Sequence, residues 1–279
     1  MQVEEHTFTD ADVSSTLAAG WALFDQLELH QPADLVQVVE PHRVAAEAVL
    51  DEVLARTVPE TEALPLVWAE WRAAMAALRR AGAFGPRQEG VVAGLFTSHG
   101  GVPKHPKEAI EVRVDGIDGD AQNDRGNHGR PWQAVCLWST EVIDAFRADG
   151  HPLAPGLAGE NVTTTGIDWE RIVPGIQLQV GAVRLEVSAY AVPCRKNAAW
   201  FTDGHFGLMH HRHGFVSRVY ATVLQPGTVA IGDPEVKAQI EKLGGTVPPM
   251  MTLEAAAKEY ESQTARFRAI AKSVKLEPL

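Results

Sequence analysis

The feature that most constrains this chain is a change of hydrophobic period near residue 90. Before it, apolar residues recur at helical spacing. Val13, Leu17, Trp21, Phe24 and Leu27 predict a helix over about 12–29, with Asp10 or Asp12 placed to cap its start. A second helix is predicted over 41–56, with Pro41 in its first turn, and a third over 66–80 with Trp68, Trp71, Met75 and Leu78 on one stripe. The run Ala83-Phe84-Gly85-Pro86 ends the helical region. From Val91 the segments become short, β-branched and bounded by Gly, Pro or Asp, predicting strands over 91–97, 110–114, 133–138, 176–180, 182–187 and 219–224. Gly181 lies between two of them and predicts a tight hairpin, while one helix over 140–148 interrupts the series after Ser139. Strands this short and this close favour a barrel or a strongly coiled sheet. Helical spacing returns over 234–243 and 252–272, after Gly232-Asp233-Pro234. The expected organisation is a helical region over 1–88, a mainly β domain over 89–233 and a helical tail over 234–279.

Composition narrows the function. The chain has 279 residues, 45% of them hydrophobic, enough for a packed core without cross-links. Its formal charge of -11 is uneven: residues 1–90 carry 15 acidic side chains against 6 arginines and no lysine. An acidic front end argues against nucleic acid as a partner. The two cysteines, Cys136 and Cys194, do not make a disulfide framework, and the first residues lack the basic and apolar regions of a secretory signal. The apolar runs are too short to span a membrane, so a cytoplasmic protein is expected. Trp21, Trp68 and Trp71 read as core residues rather than as a cofactor platform.

Three segments of the β region hold more glycine and fixed polar groups than folding requires. Ser98-His99-Gly100-Gly101-Val102-Pro103-Lys104 follows a strand, and its small residues would let backbone N–H groups face an anion beside Lys104; an ordinary Gly-Pro loop has the same look. The polar stretch from Gly116 to Asp120, followed by Asn127-His128-Gly129-Arg130, precedes an apolar strand. There His128 suits a hydrogen bond to a ligand or to its own loop, and Arg130 offers a bidentate partner for phosphate or carboxylate. Val192-Pro193-Cys194-Arg195-Lys196-Asn197 sets two cations directly after a cysteine, a pattern that suits a nucleophile or a soft-metal ligand. Cys136, inside Ala134-Val135-Cys136-Leu137-Trp138, reads instead as a buried, inert thiol.

Taken in order, these segments resemble the MOSC family, named for the C-terminal domain of molybdenum-cofactor sulfurases. The resemblance spans about 91–233. It includes the Gly-Gly-Val-Pro-Lys loop ending at Lys104, Gly116 to Asp120, Asn-His128-Gly before an apolar strand, Gly159-Glu160-Asn161-Val162-Thr163 with Gly166-Ile167, Pro174-Gly175 before the hairpin, Pro193-Cys194, and Val223-Leu224 to Gly232-Asp233. The family implies a mainly β, MOSC-type barrel, here with helical regions on both sides. Its conserved cysteine ligates molybdenum in enzymes that reduce N-hydroxylated substrates, or carries sulfur in others. The helices after Asp233 resemble the tail of a stand-alone bacterial branch that detoxifies hydroxylaminopurine. On this resemblance Cys194 is the molybdenum ligand and His128 a catalytic residue. Lys104, Arg130, Glu160, Asn161, Arg195 and Lys196 become candidates for the pterin of the molybdenum cofactor and its phosphate.

Departures from the family pattern keep alternatives open. Arg130 replaces the usual second glycine after His128-Gly129, and the acidic helical region has no counterpart. His205, His210, His211 and His213 crowd together after Cys194, which suits Zn or Fe held by His205 and His210 or His211 with Cys194 as a third donor, or simply a histidine-rich surface loop. The leading expectation is reduction of an N–O bond in a small-molecule substrate, with electrons from an external donor protein, because no flavin, nicotinamide or iron–sulfur motif is present. The second is sulfur carriage or carbon–sulfur bond chemistry at Cys194, and the third a non-enzymatic cofactor carrier. A homodimer is compatible with each.

Overall fold

The computed structural model describes residues 17, 20, 22–29, 31–86, 88–122 and 128–231. Expectations for Asp10, Asp12, Val13, Trp21, Asn127 and the helices after Asp233 lie outside these residues. The described residues belong to one compact unit. Among the described residues no helix is long and apolar enough to cross a membrane.

Residues 22–28 are helical, and two longer helices follow, α1 (Ala33–Leu54) and α2 (Glu60–Arg80). Both begin earlier than their prolines suggest, since Pro41 and Pro65 lie inside them. An internal proline costs a hydrogen bond and a steric clash. Here the apolar face of each helix continues across it, and the buried stripe of α2 starts at Ala63 and Leu64, before Pro65. Each helix starts after a proline, Pro32 or Pro59. The charges of α2, Glu60 and Glu62 first and Arg79 and Arg80 last, match the helix dipole.

The strands pair into two sheets. The larger has the order β2-β1-β6-β5-β9-β8-β7, and the smaller β10-β3-β4. Their ranges are β1 Val91–Thr97, β2 His105–Lys107, β3 Ala109–Arg113, β4 Gly116–Ile117, β5 Val135–Ser139, β6 Val162–Thr165, β7 Gln177–Val180, β8 Val183–Tyr190, β9 Val219–Gln225 and β10 Gly227–Ala230. β5 and β6 run parallel, joined through α3 (Thr140–Ala148), whose Ser139 Oγ accepts from the N–H groups of Glu141 and Val142. All other pairs are antiparallel. The β7–β8 hairpin turns at Gly181, whose φ of 58° suits glycine. The expected closed barrel is not formed among the described residues. The large sheet keeps β2 and β7 as edges, and β2 is three exposed residues with Pro106 at its centre, which halts the ladder.

Two apolar clusters hold the unit together. One fills the sheet, with Leu137, Trp138, Ile143, Leu185 and Val219 at its centre. The other lies among the helices and includes Phe24, Trp68, Trp71, Met75 and Leu78, together with Trp132 from the sheet side. Trp68 stacks on Trp71 at 4.9 Å and on Trp132 at 5.1 Å. The Glu186 carboxylate on β8 is fully buried and receives Arg79 of α2 at 2.6 Å, which fastens helices to sheet.

Candidate functional site

At one end of the large sheet, several elements stop and turn. β1 leads into the 98–104 loop, the 156–161 segment enters β6, β8 leaves toward Cys194, and β9 begins after Arg218. Between them lies an open cleft. Five of the residues singled out from the sequence line it: Lys104, His128, Asn161, Cys194 and Lys196. Asp120 and Asn197, which belong to two of the singled-out segments, line it as well, and Arg218 and Tyr220, which no sequence signal marked, join them.

β8 ends because Val192-Pro193 cannot extend its ladder. Just before that, Ala191 N–H donates to Arg218 O at 2.8 Å, and Ser217 Oγ donates to Ala191 O at 3.0 Å. Cys194 then stands at the start of a 3-10 segment, Arg195–Trp200, and is half-buried. Its N–H donates to Asn197 Oδ1 at 3.3 Å, and its Sγ lies 3.8 Å from the same oxygen. Asn197 in turn donates from Nδ2 to Ala158 O at 3.0 Å, so the cysteine loop is anchored to the segment entering β6.

The opposite wall is polar and almost entirely buried. Lys104 Nζ pairs with Asp120, and Asp120 also receives Ser98 N–H at 2.8 Å and Asn161 Nδ2 at 3.1 Å. Lys104 therefore carries a partner of its own rather than waiting beside a glycine loop. Asn161 is spent in four directions: Nδ2 also donates to Phe96 O, Oδ1 accepts from Cys136 N–H, and its own N–H donates to Cys136 O. Burial pushes the Cys136 thiol up to about 11, in keeping with the inert thiol read from the sequence, although it does line the cleft. Burial likewise pushes the Tyr220 phenol upward, so it keeps its proton, and its hydroxyl shares a hydrogen bond with His128 Nδ1 at 3.3 Å, the donor set by the imidazole tautomer.

The remaining candidates are placed elsewhere. Arg195 is exposed, Arg130 is buried, and neither lines the cleft. Glu160 is fully buried outside the lining; its Oε1 accepts from Gly156 N–H at 2.5 Å, and desolvation raises its pKa. The zinc or iron site drawn from the histidines is not assembled: among the described residues no three His, Cys, Asp or Glu side chains gather as metal ligands. Their rings serve packing and loop closure instead. His211 stacks on Tyr190 at 5.1 Å, His210 Nδ1 accepts from Arg212 N–H at 3.2 Å, and His205 is exposed. Burial, with Arg212 and His213 nearby, lowers the pKa of His210.

Comparison with known proteins finds a family match over part of the chain. Residues 124–236 match the MOSC domain family. The MOSC match therefore holds Cys194, His128, Arg218 and Tyr220, whereas Lys104 and Asp120 precede it yet face the same cleft. The chain is 31% identical over 134 residues to the uncharacterized protein YflK of Bacillus subtilis, covering 47% of this chain and 60% of that protein. It is 27% identical over 143 residues to protein YiiM of Escherichia coli, covering 46% of this chain and 62% of that one. The chain thus spans about three fifths of the length of these curated relatives. A crystal structure of YiiM from Escherichia coli aligns with 22% identity and a TM-score of 0.40, covering 51% of this chain and 66% of that one. MOSC domains are associated with the molybdenum cofactor.

Proposed function

We propose that this MOSC domain binds molybdenum cofactor in the cleft, with Cys194 as its sulfur ligand, and that the loaded protein reduces an N–O bond in a small N-hydroxylated substrate. One observation carries the reading: the half-buried Cys194 opens into the same cleft as Lys196 and the Lys104–Asp120 pair. That donor set fits the cofactor, since a thiol suits a soft metal and cations suit the phosphate of a pterin. When bound, the cofactor supplies a two-electron redox centre able to accept oxygen. The chain's own residues hold the cysteine loop through Asn197 and Ala158, and keep a proton at the Tyr220–His128 pair. N–O reduction consumes two protons with its two electrons, and this pair sits on the cleft wall where a proton is needed. The electrons come from a separate donor protein.

The test is metal content of protein purified from a host that makes the cofactor. Wild-type protein should carry near-stoichiometric molybdenum, and Cys194→Ala should lose nearly all of it while keeping its circular dichroism. Molybdenum retained in the variant, or absent from the wild type, overturns the assignment.

A further inference from the structure

Arg218 is the least explained group in the cleft. It is only 6% exposed, yet its guanidinium is always charged and faces the cavity. Nη1 donates to Ala158 O, while Nε is buried with no hydrogen-bond partner. A buried cation left in this state is costly unless something completes it. No carboxylate forms a salt bridge with it among the described residues. Asp120 is already engaged by Lys104, Asn161 and Ser98, and Glu160, although the Arg218 charge acts to lower its pKa, is pushed the other way by burial and makes its hydrogen bond to Gly156 N–H instead.

The arginine is also unusually well fixed. The carbonyls just before it are pinned by two indoles, Trp138 Nε1 to Val216 O at 3.1 Å and Trp169 Nε1 to Ser217 O at 2.9 Å, and its own carbonyl receives Ala191 N–H. Opposite its side chain is Gly159, with φ of 98°. A Cβ there would lie 2.8 Å from Val102 Cγ1 and 3.5 Å from Arg218 Nη1, so only glycine keeps this space open. Ala158 O, the acceptor for Arg218, is the same oxygen that receives Asn197 of the cysteine loop. A rigid guanidinium with an unused buried donor, glycine clearance beside it and a firm tie to the Cys194 loop make up a built anion subsite.

We infer that Arg218 is the oxyanion-binding residue of this cleft and receives a phosphate or carboxylate group through the guanidinium edge that carries Nε. Two-oxygen anions match that planar edge, and a charge-assisted hydrogen bond there satisfies the orphaned donor. The inference concerns the same cleft as the proposed function but does not depend on molybdenum, because the buried donor requires an acceptor whatever else is bound. In the cofactor reading the oxyanion is a phosphate; in a substrate reading it is a carboxylate.

The experiment is titration of the cofactor-free full chain with inorganic phosphate at low ionic strength, followed by calorimetry. Arg218→Met should weaken phosphate binding roughly tenfold or more, and Arg218→Lys, which keeps charge without the fork, should fall between. Near-ultraviolet circular dichroism of both variants separates lost binding from lost fold, and the lysine variant keeps the test informative if the methionine variant is unstable. Competition by acetate assigns a carboxylate ligand, and its failure to compete assigns phosphate; either supports the inference only with the dependence on Arg218. Wild-type affinity in folded Arg218→Met, or no phosphate binding by the wild type, overturns it. Both results leave molybdenum retention through Cys194 to be judged on its own measurement.

Discussion

The helical cluster and the cleft end of the sheet are both buried, but they are buried in different ways. Around Trp71 the interior is almost wholly apolar: Phe24, Leu27, Met75 and Leu78 surround stacked indoles, and the Nε1 atoms of Trp68 and Trp71 have no hydrogen-bond partner. Around Asn161 the interior is polar, and each group there is held at a fixed angle by groups from other elements. The contrast separates two uses of burial. Apolar contact is non-directional and supplies stability; directed hydrogen bonds in a dry wall supply a shape that a ligand can read.

The sharpest way to break this contrast is to hollow out the helical side. Trp71→Ala removes a side chain only 1% exposed and should cost ~3–5 kcal/mol in urea denaturation, while phosphate binding by the folded fraction stays near wild type. Equal loss of binding would show that the two regions are coupled rather than divided in role. On the polar side, Asp120→Ala leaves Lys104 without its buried partner and should cost about 3 kcal/mol, with the 98–104 loop loosening toward protease. An unchanged denaturation midpoint would mean that the wall is not structural.

The smallest effect concerns Glu160. Burial raises its folded pKa above the ordinary 4.5, so its contribution to stability is full below pH 4.5 and is lost as pH rises through the raised value. Glu160→Gln cannot ionise. Its melting temperature should match wild type near pH 4 and exceed it increasingly toward pH 8. A gap that stays flat with pH would show that Glu160 ionises without penalty.

The same difference in burial explains what could be read from the sequence. Stripes such as Trp68, Trp71, Met75 and Leu78 announce a helix because non-directional burial leaves a period. The strand β8 and the capped helix α3 were legible for that reason, and Ser139 marked the start of α3. β6 is Val-Thr-Thr-Thr and β2 is His-Pro-Lys, and neither has an apolar alternation to find. Their pairing is imposed by β1, which lies between them. At the site, Cys194, Lys104, His128 and Asn161 were flagged by glycine-rich or cation-rich settings. Arg218 and Tyr220 sit beside or inside an apolar strand, and only the strangeness of an arginine at its threshold could have pointed to one of them. The histidine cluster misled because spacing along the chain says nothing of ring direction, and here the rings turn to Tyr190 and to the backbone.

One carbonyl oxygen, that of Ala158, takes hydrogen bonds from Asn197 and from Arg218. It acts as a yoke. A backbone acceptor cannot be removed by substituting its own side chain, so the sulfur-bearing loop and the guanidinium share one fixed anchor. Retuning this protein toward a differently sized ligand would therefore demand concerted change at positions 197 and 218, because an adjustment to either alone pulls the other out of line.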